Sequence, residues 1–396
     1  MKPIFVFNPE HDLTLANGDR HYIPPKNIRE MARDLAPLMD AALASSPWGV
    51  TSLDTGGCNL QPWGWDSSVV EHFKKLGISP KMLPADDALV SLSRRSERAT
   101  AHHLLSTFRA AHPSDWYVGE SMLMRHVADI RDYAERHGHI LLKAPLSGSG
   151  KGLRHVNVDD SENEDECQSK NEKNLRSNDD ENRHSSLRKV ESWASALIQR
   201  HGYLTAEPFY AKAVDFAMEF CADALGCHFI GYSLFNTDHH GRYIESRLMS
   251  DEAIEEVLMR YISEESLREV CRWVIAYCDD IVPAEWDTAR HPLYFGIDMM
   301  VVAEGSSFKL HPCIEVNLRL NMGIIAHELY RHRLAPEARG IFRLAFFPDT
   351  QALCTFSTEQ SCLYPEVCHE GHLVRGYLPL TPIAEGTRHH AYILCE

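Results

Sequence analysis

The chain has 396 residues, with 40 Lys and Arg against 56 Asp and Glu, a formal net charge of −16. At typical domain sizes of about 100–200 residues this length predicts two or three domains, and 44% hydrophobic with 24% charged residues excludes a disordered chain. The acidic balance argues against nucleic acid and acidic lipid as partners, because both are gripped by Lys and Arg. No apolar run approaches the roughly 20 residues of a membrane-spanning helix, and residues 4–7 are too short for a signal-peptide core. Eleven Cys without a CxxC pair read as reduced thiols, which predicts a cytoplasmic setting. His327 and His332 have one residue too many between them for a zincin helix.

Residues 2–7 read as a buried first strand ending at Asn8-Pro9. Residues 28–44 carry apolar side chains at helical spacing and predict one amphipathic helix. A shorter helix over 69–76 ends at Gly77. Residues 96–111 predict another helix, with Ser96 as its N-cap and Pro113 past its end, and residues 130–137 a further one. A strand at 140–144 and an extended run at 153–158 flank the loop Ser147-Gly148-Ser149-Gly150-Lys151-Gly152, so together they predict a hairpin with a glycine-rich tip. Residues 159–187 hold ten acids, four bases and almost no large apolar side chain. Such a stretch cannot bury enough surface to fold alone, and it reads as an unfolded insertion.

Helix resumes at 190–200. Strands follow at 203–206, 216–221 and 228–235, then a long amphipathic helix at 264–281. Residues 295–303 and 308–316 predict two strands joined by the turn 304–307. A helix at 324–333 and a terminal hairpin from 373–378 and 390–394 complete the reading. The alternation of strand and helix predicts a mixed α/β (α+β) class.

Three separated segments carry chemistry. In the first, glycines after Lys143 let backbone N–H groups approach phosphate oxygens while Lys neutralises charge. The loop lacks the Walker A pattern, because Gly152 stands where Ser or Thr would follow Gly-Lys, and a plain flexible hairpin reads the same way. In the second, Glu315 and Asn317 lie two apart on one strand and share a face. Asp298 on the preceding strand can reach the same space. Two carboxylates and an amide oxygen suit Mg²⁺ bridging nucleotide phosphates, although the wet face of a sheet also carries such residues. In the third, Glu207-Pro208-Phe209-Tyr210 makes a corner whose backbone can bond a flat base, and Asp215 can accept from a ribose.

The order of these segments resembles the ATP-grasp superfamily. The resemblance implies an ATP-grasp fold divided into a pre-ATP-grasp α/β domain (1–95), a first subdomain carrying the insertion (96–206), a second subdomain with the magnesium site (207–345) and a β-rich C-terminal extension ending in a β-hairpin tail (346–396). It implies ATP and Mg²⁺. Lys143 and the loop Ser147, Gly148, Ser149, Gly150, Lys151 and Gly152 would hold the phosphates, Glu207 and Phe209 the adenine and Asp215 the ribose. Asp298, Glu315 and Asn317 would bind magnesium. Arg319 and Lys151 would act on the transferring phosphoryl group. Many relatives open the helix near residue 96 with a Lys; here Arg95 and Arg98 are the candidates.

The implied activity is an ATP-dependent carboxylate–amine ligase, in which a substrate carboxylate takes the γ-phosphate and an amine or thiol displaces it. A phosphotransferase on the same fold and a non-catalytic nucleotide-binding regulatory protein are the alternatives. The partners are then small-molecule carboxylates and amines, with no nucleic acid and no membrane, and the oligomeric state is unreadable. Glu10, Asp12 and Asp66, in loops following strands, can hold a cationic amine, or serve as turns and helix caps.

Overall fold

The computed structural model describes residues 3–45, 59–148, 152–158, 179–238 and 241–396. Its strands are β1 (Ile4–Val6), β2 (Leu60–Pro62), β3 (Met122–Met124), β4 (His139–Lys143), β5 (Leu153–Asn157), β6 (Leu204–Pro208), β7 (Lys212–Asp223), β8 (Gly226–Thr237), β9 (Tyr243–Leu248), β10 (Leu293–Glu304), β11 (Ser307–Asn317), β12 (Gly340–Phe346), β13 (Val367–His369), β14 (His372–Pro379) and β15 (His389–Cys395). Among the described residues they form a parallel pair β1-β2, a small sheet in the order β3-β6-β4-β5, and a nine-stranded sheet in the order β11-β10-β7-β8-β9-β12-β15-β14-β13.

Alternation builds the large sheet. Along β10, Phe295, Ile297, Met299 and Val301 are fully buried in one core with Phe216, Phe220, Val270 and Trp273. Each such side chain is worth about 2–3 kcal/mol relative to exposure. Tyr294 faces the opposite side, in a second core where Ile324, Ile325 and Leu329 of helix Met322–Arg333 meet Leu38 and Met39 of helix Pro37–Leu43. The sheet therefore has a core on each face. The small sheet has its own core, including Met124, Tyr133, Leu142 and Leu204.

Several expectations shift in the structure. The predicted helix over 28–44 is two helices, Lys26–Leu35 and Pro37–Leu43, because Pro37 has no N–H to continue the ladder. Ser96 does not cap a helix N-terminus. It closes helix Asp86–Arg95, its hydroxyl donating to the Leu92 carbonyl, and the next helix runs over Arg98–Ala111. The long helix at 264–281 breaks at Tyr277 into Glu264–Ala276 and Cys278–Ile281. Helix Asp179–His201 takes in the last nine residues of the acidic stretch expected to stay unfolded. Adding a residue to an existing helix costs far less than starting one, so the helix beyond 190 extends backward. Residues 159–178 lie outside the described residues. The C-terminal hairpin is not a separate tail: β15 pairs with β12, so the hairpin continues the large sheet. Between them lies helix Thr350–Leu363, capped by Asp349 and unforeseen from the sequence.

No helix among the described residues is long and apolar enough to cross a membrane.

Candidate active site

The expected hairpin β10–β11 forms, with Gly305 at φ 60 in its turn. Its register sets Asp298 directly across from Glu315, and Gly296 across from Asn317. The three oxygen-bearing side chains therefore share one face. Beside them on β7, Glu219 pairs with Gly296 and faces the same way. Burial first, then the charges of Glu315 and Glu219, push the Asp298 carboxyl well above the usual carboxylate range. Burial likewise lifts Glu219 to about 7, against the hydrogen bonds it accepts from Asn321 (2.8 Å) and Ser233 (2.9 Å). Gly296 and Gly323 are required here, because a methyl group at either would collide with the Glu219 carboxylate.

Arg98 fills the helix-opening position left open by the sequence. It is the first residue of helix Arg98–Ala111 and is 8% exposed. Its Nε donates to the Ala144 carbonyl (3.0 Å), Nη2 lies 3.4 Å from Ser147 Oγ, and Nη1 lies 3.2 Å from Glu315 Oε2. Arg95 instead donates to the Asp280 carbonyl. One guanidinium thus links the glycine-rich loop to the carboxylate pair. Gly152 bonds its carbonyl to the Ala144 N–H (2.9 Å), closing the base of that loop, and a Cβ there would collide with Ser147. Ser149, Gly150 and Lys151 lie outside the described residues.

Lys143 and Glu207, on neighbouring strands β4 and β6, form a buried ion pair at 2.5 Å. Phe209 is half exposed and stacks on His139 at 4.2 Å between ring centres. Asp215 accepts from Lys212 (2.5 Å) and Thr237 (2.9 Å).

The acceptor-side residues are differently employed. Asp12 grips Arg319 in a fork, with Nε to Oδ1 at 3.1 Å and Nη2 to Oδ2 at 2.9 Å, the bidentate geometry that favours Arg over Lys. Burial raises the Asp12 carboxyl, but Arg319 outweighs it and holds the carboxyl below its ordinary value. Asp66 caps helix Ser67–Lys75 through the Val69 N–H (2.8 Å), and its other oxygen contacts Asn8 (3.1 Å) and His11 (3.0 Å). Glu10 keeps a buried Oε2 without a partner, and burial raises its carboxyl. A cavity opens between these groups, lined by His11, Asp12, Arg98, Ser147, Glu315 and Arg319, among others. Gly148 comes so close to it that a Cβ would lie 2.9 Å from Asp12 Oδ2.

Reading the sequence missed Glu219, Asn321 and the contact of His11 with Asp66. A lone Glu inside the apolar strand 216–221 was the available signal for Glu219.

No family model matches the chain, and no curated protein matches it. Solved structures similar to it include an N5-carboxyaminoimidazole synthase from Aspergillus clavatus in complex with ADP and 5-aminoimidazole ribonucleotide. Its identity is 10%, the match covers 85% of this chain and 76% of that one, and the TM-score is 0.47. An ADP complex of an N5-carboxyaminoimidazole ribonucleotide synthetase is 11% identical over 100% of this chain and 93% of that one, with a TM-score of 0.47. An ATP-analogue complex of biotin carboxylase from Campylobacter jejuni is 12% identical over 85% and 70%, with a TM-score of 0.48.

Proposed function

We propose that the chain is an ATP-grasp ligase, using ATP and Mg²⁺ to activate a carboxylate as an acyl phosphate for attack by an amine. The observation that carries this reading is the register of β10 and β11, which aligns Asp298, Glu315 and Asn317 on one face beside Arg98 and the glycine-rich loop. The donor set fits magnesium: all three donors are oxygens, and the burial and neighbouring carboxylates that raise the Asp298 carboxyl are what a bound cation would offset. No trio of His, Cys, Asp or Glu suited to a metal occurs among the described residues, so a cation on these three would complete its shell with nucleotide phosphate and water. When bound, the ion draws charge off the phosphates.

The chain's residues do the rest by position and charge. Arg98, already aimed at the loop and at Glu315, would stabilise charge on the γ-phosphate. Lys143 would face the phosphates from β4, its ammonium oriented by Glu207. Arg319, fixed in its rotamer by Asp12, would meet the acyl phosphate oxygens from the cavity side. No nucleophilic side chain is needed.

The test is ADP release from ATP in a screen of paired carboxylic acids and amines. Release that requires both partners, with free phosphate in equal amount, is expected. A phosphorylated acceptor without free phosphate, or no ATP turnover with any pair, overturns the reading.

A further inference from the structure

His11 lines the cavity, and one of its two ring nitrogens is buried without a hydrogen-bond partner. It is 1% exposed and is the first residue of helix His11–Asn17, a short way after β1. Nδ1 lies 3.0 Å from Asp66 Oδ2. The contact suits an Nδ1–H donated to the Asp66 oxygen, which leaves Nε2 as the ring nitrogen directed away from Asp66. Nε2 has no partner, although a buried ring nitrogen left unpaired is costly. Gly64 holds the ring in place, since a Cβ there would fall 2.5 Å from His11 Cγ. Asp66 is itself immobilised by the Val69 N–H and Asn8. The result is an oriented imidazole with an unpartnered Nε2, among the residues that line the same cavity as the Asp12–Arg319 pair.

We propose that His11 is the base that takes the proton from the acceptor amine, with Asp66 as its positioning residue; this rests on the ligase reading above. The amine nitrogen bonds to the acyl carbon, the carbon–oxygen bond to phosphate breaks with its electron pair on the leaving oxygen, and the nitrogen's proton moves to His11 Nε2. Asp66 remains a carboxylate and stabilises the imidazolium. The charged groups facing His11 are Asp66 from the loop before helix Ser67–Lys75, Glu10 and Asp12 from its own segment, and Arg319, Arg98 and Glu315 across the cavity. The acceptor in this step is a primary amine that attacks in its neutral form, so a single proton passes to His11.

The experiment compares two acceptors on the acyl phosphate made from ATP and the acid selected by the ADP-release screen. One is hydroxylamine, which attacks as the neutral amine at neutral pH and needs no base. The other is the amine from the screen. In His11→Asn, amide formation should fall at least about 100-fold while hydroxamate formation changes less than about threefold. The wild-type amide rate should rise with pH through one ionisation that His11→Asn lacks. Asp66→Asn, which keeps the helix cap but cannot accept from Nδ1–H, should displace that ionisation with unchanged hydroxamate yield. Melting curves report whether each variant folds. Equal losses of hydroxamate and amide, no loss of either, or ATP-derived phosphate retained on His11 would overturn the role of His11 alone. Absence of hydroxamate from the wild type with every acid would overturn the ligase reading and this proposal together.

Discussion

The floor and the wall of the cleft are built in opposite ways. The floor is a hairpin: the turn 304–307 joins two neighbouring strands, and an irregularity in their register between Asp298 and Met300 brings Asp298 opposite Glu315. The wall is assembled from afar: Asp12 reaches Arg319 across 307 positions of sequence, and His11 reaches Asp66 across 55. Locally encoded geometry is held by backbone bonds and tolerates a lost side chain. Geometry encoded at long range is held by the side chains themselves, and should collapse with them.

The largest effect tests the floor. Glu315→Ala should lower ATP turnover by about 10³-fold, a barrier increase of about 4 kcal/mol, and lower the melting temperature only modestly, because the ladder survives and Arg98, though it loses this partner, keeps Ala144 and Ser147. A large loss of melting temperature would break the contrast. The next tests the wall. Asp12→Ala leaves Arg319 buried without a counter-charge and should cost about 2–3 kcal/mol in urea unfolding at pH 7. The sign of its pH dependence follows from the lowered Asp12 carboxyl. The wild type gains this stability above the ordinary carboxylate range and loses it as pH falls through the depressed value, so wild type and variant should converge in acid. Gly296→Ala, which drives a methyl into Asn321 and Glu219 beneath the floor, should cost about 1–2 kcal/mol by overpacking. Asp349→Ala removes a cap remote from the cleft and should cost about 1 kcal/mol with full activity; a loss of turnover there would make the division between cleft and scaffold too sharp.

The same contrast explains what was legible. The strands of β10 and β11, the paired carboxylates and the glycine-rich hairpin follow from period-two alternation and a turn, all within a short window. Asp12, Asp66 and Arg98 were visible as charged residues, but their partners lie on other segments, and no local pattern announces a fork with Arg319 or a contact with Ser147. Ser96 was misread for the same reason: a serine before a helical run has the signature of an N-cap, and only the preceding helix Asp86–Arg95 shows that its hydroxyl is already spent on Leu92. Helix Thr350–Leu363 buries little more than Leu353, so its sequence carries almost no apolar stripe to read.

Arg98 has one more consequence. Its guanidinium shares Glu315 with whatever cation that carboxylate attracts, while its other nitrogens hold Ala144 and Ser147. On the proposed ligase reading, a cation at Glu315 would compete with Arg98 and weaken that ion pair, leaving the guanidinium freer to meet an anion. Cation and anion would then be linked through a single side chain, each changing the other's affinity by the same factor.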